Sequence, residues 1–368
     1  MNSSTLNIAV LGGGLLGRLN ALALAREGFR VSLFDKGTPQ GEQSAAFQAA
    51  AMLAPLAESL DSPPEIICLG QQSMALWREL INSLPEKPMM QENGSLIVWH
   101  PQDKALSQHF AQHLQRTTGM HNPMQRWQSN DIAQYEPQLA GRFGTGFYLP
   151  YEGQLDGRQI LLSLNTALMH HHAACHWQQT RTPSDLYNDF DFVLDCRGYG
   201  AKNDWNRLPE NNHLRGVRGE VARVFAPEIT LNRPIRLLHP RYPLYIAPKE
   251  NHVFVVGATQ IESESQTPCS VRSGLELLSA LYAIHPAFGE ASILELGVGL
   301  RPTLMHHKPE IRYNLKQGLI EINGLFRHGF LIAPAVTSAA LRLLKLLASG
   351  SNIPECDDEN GLPYIKAA

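Results

Sequence analysis

The chain has 368 residues, 43 % hydrophobic and 18 % charged, with a formal net charge of −3. That length suits two domains sharing a core, and the near-neutral charge gives no electrostatic case for nucleic acid or a membrane surface as partner. The five cysteines (Cys68, Cys175, Cys196, Cys269, Cys356) are scattered and odd in number, so they form neither a disulfide framework nor a CxxC pair, and a reducing cytoplasm is the expected location. The start of the chain is apolar over 8–16, but no Lys or Arg precedes it as in a signal peptide, and no apolar run reaches the roughly 18 residues of a membrane helix.

Residues 6–11 are an apolar run of strand length, followed by Gly12-Gly13-Gly14-Leu15-Leu16-Gly17. A Leu- and Ala-rich stretch without proline then predicts a helix over 15–27, stopped by Gly28. Residues 30–34 predict a second strand, closed by Asp35. Strand, glycine turn, helix, strand and acid form the layout of a dinucleotide-binding unit. In such a unit Gly12 allows the tight turn, Gly14 admits a pyrophosphate to the backbone, and Gly17 lets the helix pack on the strand. The helix N-terminus offers N–H groups and partial positive charge to phosphates. Asp35 stands where the acid that bonds the adenosine ribose belongs, which argues against an NADP 2′-phosphate. The plainer alternative is a glycine-rich turn that only packs.

After a loop at 36–43, residues 44–55 are rich in small side chains. These either let backbone approach a flat ligand or, as composition alone favours, pack as a tight helix. Ser62-Pro63-Pro64 opens a helix with apolar positions Ile66, Ile67, Leu69, Met74, Leu76 and Trp77. Residues 86–150 carry a strand at 94–99, a helix near 103–116 and loops, a mixed pattern that suits an inserted second domain. Asp156 predicts the N-cap of a helix over 157–170. Residues 190–196 predict a strand running into Arg197-Gly198-Tyr199-Gly200, a place where open α/β sheets present ligand contacts. Further strands are predicted at 216–225, 252–257, 295–300 and 318–322, an amphipathic helix at 271–284, and a long apolar helix from about 333 to 347. Because a strand-turn-helix both opens and closes the chain, the dinucleotide domain is expected to be discontinuous.

Arg301 follows a strand directly, and Arg327 sits in a glycine-flanked turn before the last helix. A guanidinium matches a carboxylate in bidentate fashion, so two near one pocket would suit a small carboxylate substrate; each taken singly is equally an ordinary salt-bridge residue. His109 and His113 have metal-ligand spacing but no third ligand, and no metal is expected. His170-His171-His172 falls at a helix C-terminus, and His306-His307, near Arg301 in sequence, either helps shape a pocket or, as the plainer reading, forms an exposed loop. There is no GxSxG elbow and no P-loop.

Taken together, the motifs resemble those of the D-amino-acid oxidase family of FAD enzymes, particularly its glycine oxidases of thiamine biosynthesis, over nearly the whole chain. The Gly12–Gly17 turn with Asp35 resembles the ADP-binding motif. Ala49-Ala50-Ala51-Met52-Leu53-Ala54-Pro55 is similar to the small-residue segment beside the isoalloxazine ring. Val193-Leu194-Asp195-Cys196-Arg197-Gly198 resembles the returning strand, and Tyr245-Ile246-Ala247-Pro248 the stretch with an active-site tyrosine. Gly299-Leu300-Arg301-Pro302 resembles the motif whose arginine grips the substrate carboxylate, and 324–335 the final FAD motif.

The resemblance implies an α/β fold with a discontinuous Rossmann-like FAD-binding domain (1–85, 145–215 and 295–368) and a smaller mixed-sheet substrate domain (86–144 and 216–294). It implies Arg301, Tyr245 and Arg327 as catalytic residues. It implies FAD contacts from Gly12, Gly14, Leu15, Leu16, Gly17, Asp35, Lys36, Ala50, Ala51, Met52, Cys196, Gly198, Arg301, Arg327, His328, Gly329, Phe330 and Leu331. With no Cys between Gly297 and Phe330, the FAD is expected to be non-covalent. The implied reaction is oxidation of a small amino acid or secondary amine to the imine, by hydride transfer to flavin N5 with oxygen as acceptor, in a cytoplasmic enzyme that forms a homo-oligomer. The alternatives are a dehydrogenase using another acceptor and a flavin-binding partner protein without turnover.

Overall fold

The computed structural model describes residues 5–117, 123–207, 212–238 and 244–366. The first strand, Asn7–Leu11, is buried along almost all its length, as an unbroken apolar run in the middle of a parallel sheet should be. Arg30–Phe34 and Phe192–Asp195 flank it, both parallel. Leu319–Asn323 extends the sheet in parallel beyond Phe192–Asp195, then Glu310–Asn314 antiparallel and Tyr364–Lys366 parallel to that; Ala174–His176 closes the other edge. The result is a seven-stranded sheet that draws strands from the start, middle and end of the chain.

Helices Leu15–Arg26, Pro64–Ser83, Gly157–His170 and Gly329–Ser349 share one apolar core with this sheet. Asp156 caps Gly157–His170, accepting the N–H groups of Arg158 and Gln159, as its position predicts. In Pro64–Ser83 the predicted positions Ile66, Ile67, Leu69, Met74 and Trp77 are buried, with Leu76 at the core margin.

A second sheet of eight strands has its own core. Its order runs Ser292–Thr303, Arg215–Phe225, Val253–Gly257, Leu244–Pro248, Ile235–Leu237, Ser95–Val98, Thr145–Leu149, Gln125–Gln128. Helix Val271–Ile284 packs on it. A short ribbon of Met52–Leu53, Gly153–Leu155 and Met90–Gln91 forms a third sheet. All five cysteines are free thiols.

Several expectations are corrected. Thr145–Leu149 and Ser292–Thr303 pair in the eight-stranded sheet and not in the seven-stranded one, although both fall in or across the start of the segments 145–215 and 295–368 expected to bind FAD. Ser292–Thr303 belongs there because it pairs along its length with Arg215–Phe225, a partner far away in sequence. The small-residue stretch is helical only over Ala45–Gln48; it then runs extended, with Ala51 at φ 55°, into Met52–Leu53.

The last helix starts at Gly329, ahead of the predicted 333, and runs through Pro334. Proline lacks the N–H that would bond Phe330. The Trp77 indole N–H supplies that bond instead, 2.8 Å from the Phe330 carbonyl oxygen. Phe326–Ser349 is long and apolar enough to cross a membrane, against the expectation that no such stretch exists. However, 67 % of its apolar window is buried inside the protein, against Leu15–Arg26 and Pro64–Ser83.

Candidate active site

The turn after the first strand is shaped by steric necessity. Gly12 has φ 96°, and a Cβ there would lie 2.6 Å from the Cys196 carbonyl oxygen; a Cβ on Gly17 would lie 1.7 Å from that of Gly12. Gly14 differs, because its Cβ would meet nothing closer than Ser44, at 3.5 Å. Gly14 is also the N-cap of helix Leu15–Arg26, which has no side-chain cap and no acid in its first turn. The helix therefore presents bare N–H groups toward open space, the donor set an anionic phosphate needs.

Asp35 accepts the Gly13 N–H through one carboxylate oxygen at 2.5 Å and the Gly37 N–H through the other at 2.6 Å. Behind the turn, buried Arg18 donates to the carbonyls of Gly13 and Leu161, each at 2.6 Å, and stacks on Trp177. Burial lowers its pKa to about 10. Sequence reading passed over Arg18, which looks like an ordinary helix residue.

A continuous cavity of about 740 Å³ runs from this turn to the face of the eight-stranded sheet. All of the residues named above as catalytic or FAD-contacting line it except Gly17, which stands behind the turn as a packing residue. The segment of Ala50, Ala51 and Met52 forms part of its wall, and Gly329, Phe330 and Leu331 bring a second helix N-terminus to it, again without a side-chain cap or an acid in its first turn. An elongated cavity with two bare helix starts and a wall of small residues fits a flavin dinucleotide.

At the far end the cavity becomes a charged pocket. Arg301 donates from both terminal nitrogens to the Thr259 carbonyl, 3.1 Å from each, and from one of them to the Arg218 carbonyl at 3.4 Å. No ion pair with a carboxylate joins it among the described residues. Burial lowers its pKa to about 10, with Tyr245 and Glu58 opposing and Arg327 adding to the fall. Gly219, on the neighbouring strand, makes room for this guanidinium, since a Cβ there would lie 2.4 Å from its Cζ. Gly257 does the same for Tyr245, whose hydroxyl would be 2.9 Å from such a Cβ. Burial raises the Tyr245 pKa, so the phenol keeps its proton.

Arg327 pairs with Glu58 at 2.7 Å, and the other oxygen of Glu58 takes Arg236 at 2.9 Å. Burial alone would raise the Glu58 pKa, but the charges of Arg327 and Arg236 outweigh it and hold it at about 2. His328, beside Ser62 at 3.2 Å, is buried; desolvation lowers its pKa to about 3 and keeps the ring neutral. Sequence gives no signal for Glu58, whose partners Arg327 and Arg236 are distant in the chain, whereas a glycine inside a strand, as at Gly219, signals the close approach of the Arg301 guanidinium.

His306 and His307 lie outside the cavity wall; His306 meets Glu310 at 2.8 Å. His113 is 2.9 Å from the Ser59 carbonyl, and no cluster of metal-ligating side chains occurs among the described residues.

The chain is 38 % identical over 342 residues to a Rhizobium etli protein that carries the name thiamine biosynthesis oxidoreductase ThiO, covering 92 % of this chain and 96 % of that one. It is 25 % identical over 347 residues to a glycine oxidase of Geobacillus kaustophilus, covering 89 % and 90 %. Among solved structures, the glycine oxidase of Geobacillus kaustophilus superimposes with a TM-score of 0.78 at 22 % identity, over 95 % of this chain and 96 % of that one. The iminodiacetate oxidase of Chelativorans sp. BNC1 does so with 0.80 at 20 %, over 98 % and 100 %. The sequence pattern of the DAO family, FAD dependent oxidoreductases, matches residues 7–340. The chain therefore belongs to the DAO family of FAD dependent oxidoreductases.

Proposed function

We propose that this enzyme oxidises the amine of a small amino acid, glycine or a close relative such as sarcosine, to the imine, with oxygen as the electron acceptor, and that the product serves thiamine biosynthesis. The observation that carries this reading is Arg301, a cation in the cavity wall whose hydrogen bonds all go to neutral carbonyls. An anionic ligand is its natural complement. The names of the relatives, thiamine biosynthesis oxidoreductase and glycine oxidase, support the substrate class.

Bound FAD supplies the two-electron acceptor for a hydride. The chain's own residues bind and orient. The N–H groups at the start of Leu15–Arg26 would hold the pyrophosphate, and Asp35, which also lines the cavity, would bond the ribose. The helix start at Gly329, which lines the cavity, would stabilise negative charge on a flavin ring held there. Arg301 grips the substrate carboxylate, and the protonated Tyr245 hydroxyl is placed to donate to it. Glu58 neutralises Arg327, so that Arg301 is left to fix the carboxylate. A substrate that arrives with a neutral amine loses hydride from Cα as the nitrogen lone pair forms the C=N bond. Orientation does most of the work and no protein base is needed; neutral His328 leaves the pocket's charge to the arginines and Glu58.

The test is the visible spectrum of the purified holoenzyme, mixed without oxygen with glycine, sarcosine and D-alanine. Bleaching by one of them and recovery in air is the expected result. A flavin that all three leave oxidised would overturn the substrate class, and one that bleaches but does not recover in air would point to a different acceptor.

A further inference from the structure

Behind the cavity wall lies a buried lysine that the reaction above does not use. Lys249 directly follows the strand Leu244–Pro248, and its backbone N–H closes the turn onto Val253 at 2.7 Å. Only 8 % of the residue is exposed. Its ammonium donates to the Ala50 carbonyl at 2.8 Å, the Leu155 carbonyl at 2.7 Å and Gln154 Oε1 at 2.8 Å. An ammonium has three N–H groups, so all are used. Every acceptor is neutral.

A buried charge without a carboxylate in contact is costly, and an apolar side chain would fill the same volume without that cost. The three bonds that Lys249 makes are what distinguish it from such a filler, and they converge on the cavity wall. Ala50 leads into Ala51, whose φ of 55° is unusual for a residue with a Cβ and persists only where the surroundings impose it. The Ala51 carbonyl takes the Leu155 N–H at 2.9 Å, and Met52 pairs with Gln154 in the small ribbon. Gln154 in turn donates to the Pro248 carbonyl at 2.7 Å. Lys249 thus ties a ring of contacts that has the cavity-lining backbone on one side.

We propose that Lys249 is a positioning residue: its ammonium anchors the Ala50 carbonyl and so sets how closely the backbone of Ala50, Ala51 and Met52 approaches the flavin ring. This rests on the reading that the ring lies against that segment. Lys249 is also poised to respond to pH. Burial lowers its pKa to about 7, with Asp156 opposing and Arg223 adding to the fall. Beyond them, Arg158 and Glu295 face Arg223 as an ion pair at 2.5 Å. Loss of the proton leaves two N–H groups for three acceptors, and the anchor weakens.

The test uses the holoenzyme and follows flavin absorption and fluorescence, without substrate, across neutral pH. The wild type is expected to show one transition near neutrality. Lys249→Met should hold the high-pH spectrum throughout and lose about 10-fold or more in kcat with little change in KM, as misplaced reacting groups do. Lys249→Arg, charged at every pH, should hold the low-pH spectrum and recover most of kcat. A flat wild-type titration, a Lys249→Met enzyme with the wild-type spectrum and kcat, or a Lys249→Arg enzyme that keeps the wild-type transition would each overturn the proposal. If Lys249→Met fails to retain flavin, Lys249→Arg decides. If no amine reduces the wild type, the substrate reading falls while the spectral titration still tests Lys249.

Discussion

Arg301 and Thr259 meet through a forked contact, with both terminal nitrogens of the guanidinium 3.1 Å from one backbone carbonyl oxygen. The fork fixes the plane of the group without cancelling its charge, because a carbonyl is a neutral acceptor. Arg301→Met is therefore expected to raise KM for glycine and lower kcat/KM by roughly 100-fold, about 3 kcal/mol for a charged hydrogen bond, while the flavin spectrum stays that of the wild type. Steady-state kinetics with unchanged KM would remove Arg301 from substrate binding.

Gly219 faces the same guanidinium, and a Cβ there would stand 2.4 Å from Cζ. The clash falls on the movable end of a long side chain, so the fold should survive. Gly219→Ala is expected to leave the thermal midpoint nearly unchanged and to raise KM by about 10-fold, roughly 1.4 kcal/mol of lost alignment. An unaffected KM would mean that the guanidinium has another productive position.

Gly14 and Gly17 share a motif yet should respond in opposite ways. The Gly17 Cβ would run into backbone at 1.7 Å, and Gly17→Ala is expected to destabilise the fold by about 3 kcal/mol or more. Gly14 has φ −74° and open space at its Cβ position, so Gly14→Ala should fold within about 1 kcal/mol of wild type. Its methyl group would occupy the phosphate approach and weaken FAD binding. Thermal melts of the apoproteins and a flavin-binding titration separate the two; a Gly14→Ala protein with wild-type FAD affinity would contradict the phosphate role of this turn.

Buried His328 is held neutral down to about pH 3, against an ordinary value of 6.5. Between those values the unfolded chain binds a proton that the folded chain does not. The contribution of His328 to stability therefore rises with pH across the window and is lost as pH falls from 6.5, by about 1.4 kcal/mol per unit. Glu58, held at about 2 against its ordinary 4.5, adds loss of the same sign only below 4.5. His328→Asn should therefore lower the slope of stability against pH between 6.5 and 4.5 by about 1.4 kcal/mol per unit relative to the wild type, on a background in which buried Glu152 and Glu321, both raised to about 7, contribute the opposite slope. Denaturant melts that keep the wild-type slope there would show that His328 is not the group that titrates.

The parts of this protein written in local chemistry were legible from sequence alone. The strand, turn and helix around Gly12 to Asp35, the Asp156 cap and the amphipathic helix Val271–Ile284 each follow from periodicity, capping or glycine sterics within a few turns of chain. The arginines of the pocket were visible as residue types at the ends of strands and turns. Tertiary structure decided what depends on partners distant in sequence. Ser292–Thr303 joins the eight-stranded sheet because Arg215–Phe225 is there to pair with it. The last helix begins before Pro334 because Trp77 supplies the bond that proline cannot. Glu58 enters the pocket because Arg327 and Arg236 offset the cost of burying it, and Lys249 reaches Ala50 across almost 200 positions. Local pattern specifies which elements form; burying a charge or choosing a strand's neighbour is settled only when the whole chain has supplied the other half of each contact.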